Sequence, residues 1–148
     1  MNVEEVIKTE KKLPLRTRTI LHFSLVGNKI NETFMAALKP HEISEQQFNV
    51  LRILRGQKGK PAHLSTINER MVTKMSNTTR LVDKLILKGY VDRITCADNR
   101  RKVEITITDK GKAVLTVLDK VMEETENELL TKFSDLELNQ LNHLLDKF

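Results

Sequence analysis

One predicted β-hairpin among helices is the feature that most constrains the fold of this 148-residue chain. Its second strand, 102–107, alternates strictly between apolar and polar residues, and its first strand is predicted at 90–95. A two-stranded sheet is marginally stable on its own, so the hairpin must pack against neighbouring helices. The alternating residues Val103, Ile105 and Ile107 are expected to anchor it there.

Helical patterns precede and follow the hairpin. Apolar residues at steps of three or four predict a helix over 15–38, which ends before Pro40. The next helix is expected to begin at a capping box formed by Ser44 and Gln47. Residues 1–12 are polar with weak periodicity and are expected to be frayed.

A short helix within 62–71 and a second helix match a helix-turn-helix. The second helix is predicted to run from an N-cap at Ser76 to about Lys88, with Gly89 as its C-terminal cap. In that motif the second helix enters the major groove of DNA, and residues near its start reach base edges. Asn and Arg at such positions make bidentate contacts with adenine and guanine. The alternative is that these residues only cap an ordinary helix. The candidate major-groove residues are Ser76, Asn77, Thr78, Thr79 and Arg80.

The loop between the two strands carries three adjacent cations, Arg100, Arg101 and Lys102. A basic ribbon after a recognition helix is typical of a winged helix-turn-helix. We expect Arg100 to enter the minor groove, where a narrow groove has an enhanced negative potential, and the other two to attract phosphates. Asp98 is expected to shape the tip by accepting backbone amide hydrogens and pairing with a nearby arginine.

The distribution of charge agrees with a nucleic-acid partner. Residues 55–102 carry 12 Lys and Arg against 4 Asp and Glu, whereas residues 103–148 carry 5 against 10. A basic middle segment between other elements is typical of polyanion binding, although a solvated basic surface would have the same composition. Two alternatives therefore stay open: a nonspecific, architectural DNA-binding protein, and a helical module that binds an acidic protein partner.

The flanks of the basic segment predict assembly. Thr108 is expected to cap a long helix, and Ser134 with Glu137 a last one. Residues 1–40 and 109–148 contain more apolar helix surface than one small winged domain can cover. Pairing of two chains would cover it, and the alternative is a monomer whose flanking helices fold back.

Three stretches, "VLRIL" at 50–54, "NTTRLVDKLILKGYVDR" at 77–93 and "DNRRKVEITITDKG" at 98–111, resemble the MarR family of bacterial transcriptional regulators. The resemblance implies an obligate homodimer with a winged helix-turn-helix in each subunit and with interlocked terminal helices. It also implies that 76–80 lie in the major groove and Arg100 in the minor groove. The usual mode of the family is repression, and many members respond to small phenolic or lipophilic ligands.

Two departures and several side chains bear on this resemblance. Asn68 stands where the family usually has a small alanine, so its amide must find a partner. The connection "MVTKM" at 71–75 lacks the glycine often seen at such turns. Cys96, the single cysteine, lies at the hairpin, where nearby cations would lower the pKa of a sensing thiol. The candidate ligand-binding residues are Phe23, Phe34 and Phe48, although helical aromatics are more often core residues.

The predicted fold class is therefore mainly α with a small two-stranded β wing: a winged helix-turn-helix with N- and C-terminal dimerisation helices. One domain, 1–148, comprises dimerisation regions at 1–40 and 109–148 around a DNA-binding region at 41–108. The expected partners are double-stranded DNA, a second copy and a small aromatic or lipophilic ligand. No metal site, cofactor or enzymatic motif is predicted. Without a membrane-length apolar run or a signal-peptide core, the expected location is the cytoplasm.

Overall fold

The computed structural model describes residues 1–73, 77–95 and 103–148, and within them helices surround a single hairpin. The predicted fold class is confirmed, because the two strands pair antiparallel and the remaining elements are helical. The helices are α1 (Val3–Val6), α2 (Leu15–Leu38), α3 (Glu45–Gly56), α4 (Leu64–Arg70), α5 (Thr78–Leu87), α6 (Asp109–Leu130) and α7 (Asp135–Leu145). The strands are β1 (Val91–Thr95) and β2 (Val103–Ile107).

Side-chain caps fix where three of the helices begin, as the sequence predicts. Ser44 and Gln47 form both hydrogen bonds of a capping box at α3, and Ser134 and Glu137 do the same at α7. The Thr108 hydroxyl accepts a hydrogen bond from a backbone amide in the first turn of α6. Each cap satisfies a donor that the helix itself cannot satisfy, so the boundary is specified locally.

The prediction that residues 1–12 are frayed was wrong, because part of this segment forms a helix that packs on α2. Asn2 caps the short helix α1, and Val3 is fully buried. Arg18 Nε on α2 lies 2.9 Å from Glu4 Oε1. A backbone hydrogen bond is the larger cause of the lowered pKa of the Glu4 carboxyl, and the hydrogen bond from Arg18 lowers it further. Burial of one apolar side chain and an ion pair between two helices are the contacts that order this segment.

The start of α5 also differs from the prediction. Asn77, not Ser76, occupies the N-cap position, with φ −120° and ψ 30°, and its side chain makes no capping hydrogen bond. The backbone at Asn77 is not helical, so the helix can begin only at Thr78. Ser76 itself lies outside the described residues.

The hairpin is hydrogen-bonded to the segment before α4. Such a contact is expected because a two-stranded sheet is only marginally stable alone. In the register of the two strands, Arg93 faces Ile105. Ala62 adds a bridge on the other side of β2: its amide donates to Ile105 O and its carbonyl accepts from Ile105 N, both at 2.9 Å. Ile105 is fully buried, so β2 is held between two partners and against the core.

No helix of the described residues is long and apolar enough to cross a membrane.

One hydrophobic core joins the helix-turn-helix to α6. The fully buried core residues that connect these elements are Leu38, Leu51, Ile67, Leu85, Ile105, Leu115 and Leu118.

Candidate nucleic-acid interface

Helices α4 and α5 form the predicted helix-turn-helix. They are joined by residues 71–77, of which 74–76 lie outside the described residues. Ile67 on α4 and Val82 and Leu85 on α5 are buried in the common core, so α5 is fixed along one side. The opposite side of α5 is left to solvent.

Thr78 and Asn68 connect the two helices directly. The Thr78 hydroxyl donates a hydrogen bond of 3.2 Å to Asn68 Oδ1, and Thr78 is only 7% exposed. The amide that departs from the family pattern therefore has a partner, and the bond helps to satisfy a buried hydroxyl group. Thr78 was one of five candidate DNA contacts, and its side chain instead packs between α4 and α5.

The exposed start of α5 presents the remaining described candidates. Thr79 and Arg80 are exposed, whereas Asn77 is half-buried, and its Oδ1 atom is buried and unpaired within the described part of the chain. Lys84 is also exposed and stands one turn after Arg80 on the same side of the helix. Lys84 was not among the residues predicted from the sequence, although its i, i+4 spacing from Arg80 places both cations on one side of α5.

The base of the wing is tied to the helix-turn-helix at two points. Arg93 Nη1 on β1 lies 3.0 Å from Asp83 Oδ1 on α5, and the His63 ring Nδ1 lies 3.0 Å from the carbonyl oxygen of Val103. These contacts join the base of the wing to α5 and to the start of α4. The predicted tip residues Asp98, Arg100, Arg101 and Lys102, together with Cys96, lie outside the described residues.

The three candidate ligand-binding aromatics do not meet at one place. Phe34 and Phe48 line a cavity of about 250 Å³ between α2, α3, α6 and the end of α4. The Arg52 guanidinium lies 5.6 Å from the centroid of the Phe48 ring at this cavity. Phe23 lies apart, and its ring contacts that of Phe148 edge to face at 5.5 Å.

A larger open cleft, of about 830 Å³, lies beside the C-terminal end of α5. Met35 and Leu87 are apolar residues of its lining, and Lys84 and Lys88 contribute positive charge.

Two further observations concern charged side chains away from α5. Hydrogen bonds from the backbone and side chain of Ser134 lower the pKa of the Glu137 carboxyl at the start of α7. Across the described ranges, no group of three His, Cys, Asp or Glu side chains could hold a metal ion.

A helix-turn-helix with a fixed, outward-facing second helix and a hairpin attached behind it defines a winged helix-turn-helix DNA-binding protein. The family model described as "MarR family" matches residues 43–103, which contain α3, α4, α5 and β1. Residues 43–103 therefore form a MarR family domain, and the resemblance stated from the sequence is confirmed. Members of this family are transcription regulators, so the prediction that the chain is not an enzyme is also confirmed.

Named relatives agree with this assignment. The chain is 29% identical over 127 residues to the HTH-type transcriptional regulator PecS of Dickeya dadantii, a match that covers 84% of this chain and 75% of PecS. It is 26% identical over 115 residues to the homoprotocatechuate degradative operon repressor of Escherichia coli, covering 78% and 76% of the two chains. A mutant of MarR from E. coli complexed with operator DNA shares the fold, with a TM-score of 0.74, 24% identity and coverage of 84% and 89%.

Proposed function

We propose that this transcription regulator binds a specific, pseudo-palindromic operator as a homodimer and represses the adjacent genes. The observation that carries the proposal is the exposure of Thr79 and Arg80 at the start of α5, whose other side is fixed in the core. In the proposed complex, Ser76, Asn77, Thr79 and Arg80 contact the major groove. Thr78 holds α5 against α4 and does not contact bases.

The wing completes this proposed interface. Arg100 enters the adjacent minor groove, whereas Arg101 and Lys102 attract phosphates and Asp98 shapes the tip. Lys84 adds a phosphate contact one helical turn beyond Arg80. What supports these roles is the position of the wing base, which the Arg93–Asp83 ion pair holds beside α5.

The proposed homodimer is supported by apolar surface that the single chain leaves exposed. Leu15 on α2 is 80% exposed and Leu136 on α7 is 68% exposed, and large apolar side chains left in water on two helices favour an interaction site there. A two-fold dimer would place two recognition helices about 34–36 Å apart on one side of the DNA. Other exposed apolar residues of α2 and α7 are Ile20, Phe23, Val26, Met35, Leu141, Leu144 and Leu145.

The mode of regulation is inferred from the name of a relative and from a cavity beside α3. The name of the E. coli relative, an operon repressor, supports repression, which takes place at the chromosome and so in the cytoplasm. We assign the small aromatic or lipophilic ligand to the cavity of Phe34 and Phe48, because it lies between the proposed dimerisation helices and α3. Phe23 is left out of this site, because it contacts Phe148 instead.

A comparison of binding to selected and scrambled DNA tests the proposal. Duplexes are first selected from a random pool, and dissociation constants for the selected and a scrambled duplex are then measured at one fixed salt concentration. A specific regulator should prefer the selected duplex by about 10³-fold or more. Equal affinity would favour a nonspecific, architectural protein, and weak binding to both would favour an acidic protein partner.

A further inference from the structure

Three consecutive carbonyl groups at the end of the recognition helix are bound by the first residues of α6. Lys110 Nζ donates to Lys88 O at 2.8 Å, and the Thr108 hydroxyl donates to Gly89 O at 2.8 Å. The Thr108 amide donates to Tyr90 O at 3.1 Å. We name the set of residues 88–90 and 108–111 the α5–α6 contact. It satisfies carbonyls that the end of α5 cannot satisfy within its own helix.

The α5–α6 contact leaves no room for adjustment at Gly111. A Cβ atom there would lie 2.1 Å from Tyr90 O and 2.9 Å from Ile107 Cγ1, so only glycine allows the observed approach. The Gly111 amide donates to the Thr108 hydroxyl at 2.9 Å. One hydroxyl group therefore caps α6 and binds the end of α5 at the same time.

The exposed ammonium group of Lys110 strengthens the α5–α6 contact. Besides its bond to Lys88 O, Lys110 Nζ lies 5.2 Å from the centroid of the Tyr90 ring. A cation at the C-terminal end of a helix is stabilised by the helix dipole and by the unpaired carbonyls, and the ring adds a further attraction. Lys110 therefore joins three features: the end of α5, the start of β1 and the first turn of α6.

The long helix α6 leads from this contact toward the surface proposed for dimerisation. It spans 22 residues, or about 33 Å at 1.5 Å per residue. Any change in the angle between α5 and α6 at the contact would shift the recognition helix relative to the dimer axis. The distance between two recognition helices therefore depends on this small set of hydrogen bonds together with the core that α5 and α6 share.

We propose that Thr108, Lys110 and Gly111 are positioning residues that set which half-site spacing the dimer accepts. This inference rests on the proposed function, because it requires a homodimer on a two-part operator. None of the three residues contacts DNA in the proposed complex. They act by fixing the recognition helix on α6, so their loss should relax spacing selectivity while contacts within one half-site persist.

The test measures dissociation constants for duplexes whose two half-sites have the selected spacing or one base pair more or fewer. One base pair turns a half-site by about a tenth of a turn, so the wild-type protein should bind the altered duplexes about ten-fold more weakly. We call the ratio of the two dissociation constants, altered spacing over selected spacing, the spacing penalty. Thr108→Val and Lys110→Met should each reduce it to about one third of its wild-type value, because each removes a hydrogen bond of the α5–α6 contact.

Lys112→Met is the matched control, because Lys112 bonds to Asp109 on its own helix and does not reach residues 88–90. It removes the same charge as Lys110→Met and should keep the wild-type penalty. Affinity for a duplex with one half-site should be equal in the wild type and in Thr108→Val. If Thr108→Val fails to fold, Lys110→Met decides the question, because it removes only exposed contacts.

Different results would contradict the proposed function and the inference about half-site spacing. A wild-type protein without any preference for selected DNA would contradict the proposed function, and the inference with it. A wild-type protein that prefers its operator, with variants that retain the full spacing penalty, would overturn the inference alone.

Discussion

The hydroxyl of Thr78 donates a hydrogen bond of 3.2 Å to the side-chain oxygen of Asn68, and this bond joins the two helices of the helix-turn-helix. Thr78 is the first residue of α5, so the bond acts where the recognition helix begins. It fixes which neighbours, Thr79 and Arg80, face outward. The geometry of the end of α5 that is proposed to face DNA thus depends on a polar contact with α4.

Replacing Asn68 with alanine should lower the free energy of unfolding by about 1 kcal/mol, because the Thr78 hydroxyl loses an acceptor in a mostly buried position. Urea denaturation at one fixed protein concentration measures this change. Ser65→Ala, on the exposed side of the same helix, is the control and should change stability by less than about 0.5 kcal/mol. Equal effects of the two substitutions would mean that the Asn68–Thr78 bond does not stabilise the fold.

Replacing Gly111 with alanine should destabilise the protein by about 1–3 kcal/mol, because the added methyl group meets the Tyr90 backbone oxygen and the backbone must shift. Thermal unfolding followed by circular dichroism measures the loss. Gly56→Ala is the matched control, since nothing lies within 4 Å of the position that its added methyl group would take. A Gly111→Ala protein as stable as Gly56→Ala would contradict the close approach of α6 to Tyr90.

Replacing Arg80 with alanine should relax base preference at defined operator positions, at a cost of about 1–3 kcal/mol per lost base contact. Selection of duplexes from a random pool with the variant and the wild type shows which positions lose their preference. Lys120→Ala removes a charge from α6, away from the helix-turn-helix, and is expected to select the wild-type sequence. An unchanged preferred sequence for Arg80→Ala would show that α5 is not the recognition helix in the proposed orientation.

Replacing Lys102 with alanine should weaken binding to every sequence about equally, because a phosphate contact carries no sequence information. The slope of log K against log salt concentration should become shallower by about one unit for the lost contact. Titrations of selected and scrambled duplexes at several salt concentrations measure both quantities. Loss of preference without a change in slope would assign Lys102 to base contacts instead.

Much of the fold could be predicted because its signals are local. The capping boxes at Ser44 and Ser134 depend on residues three positions apart, and the strict alternation of β2 depends on its own side chains. The start of α5 was misplaced by one residue, since neighbouring polar residues can all serve as caps. The burial of Thr78 rather than Thr79 depends on how α5 docks against α4, which no local pattern encodes.

The site was predicted less completely than the fold for the same reason. The pairing of Phe34 with Phe48 at one cavity, and the separation of Phe23 from it, follow from the packing of α2, α3 and α6. The amide at Asn68 was expected to need a hydrogen-bond partner, but only the packing of α5 against α4 shows that this partner is Thr78. The α5–α6 contact joins residues about twenty positions apart, so the glycine and threonine at its centre looked like ordinary helix-start residues.

The most direct test of the central claim is selection of bound duplexes from a random pool, followed by measurement of affinity at one salt concentration. We expect a pseudo-palindromic sequence with half-site centres about 10–10.5 base pairs apart, bound by two copies of the chain. Its affinity should exceed that of a scrambled duplex by about 10³-fold or more. A pool with no enriched sequence, or equal affinity for the scrambled duplex, would contradict specific operator binding by this protein.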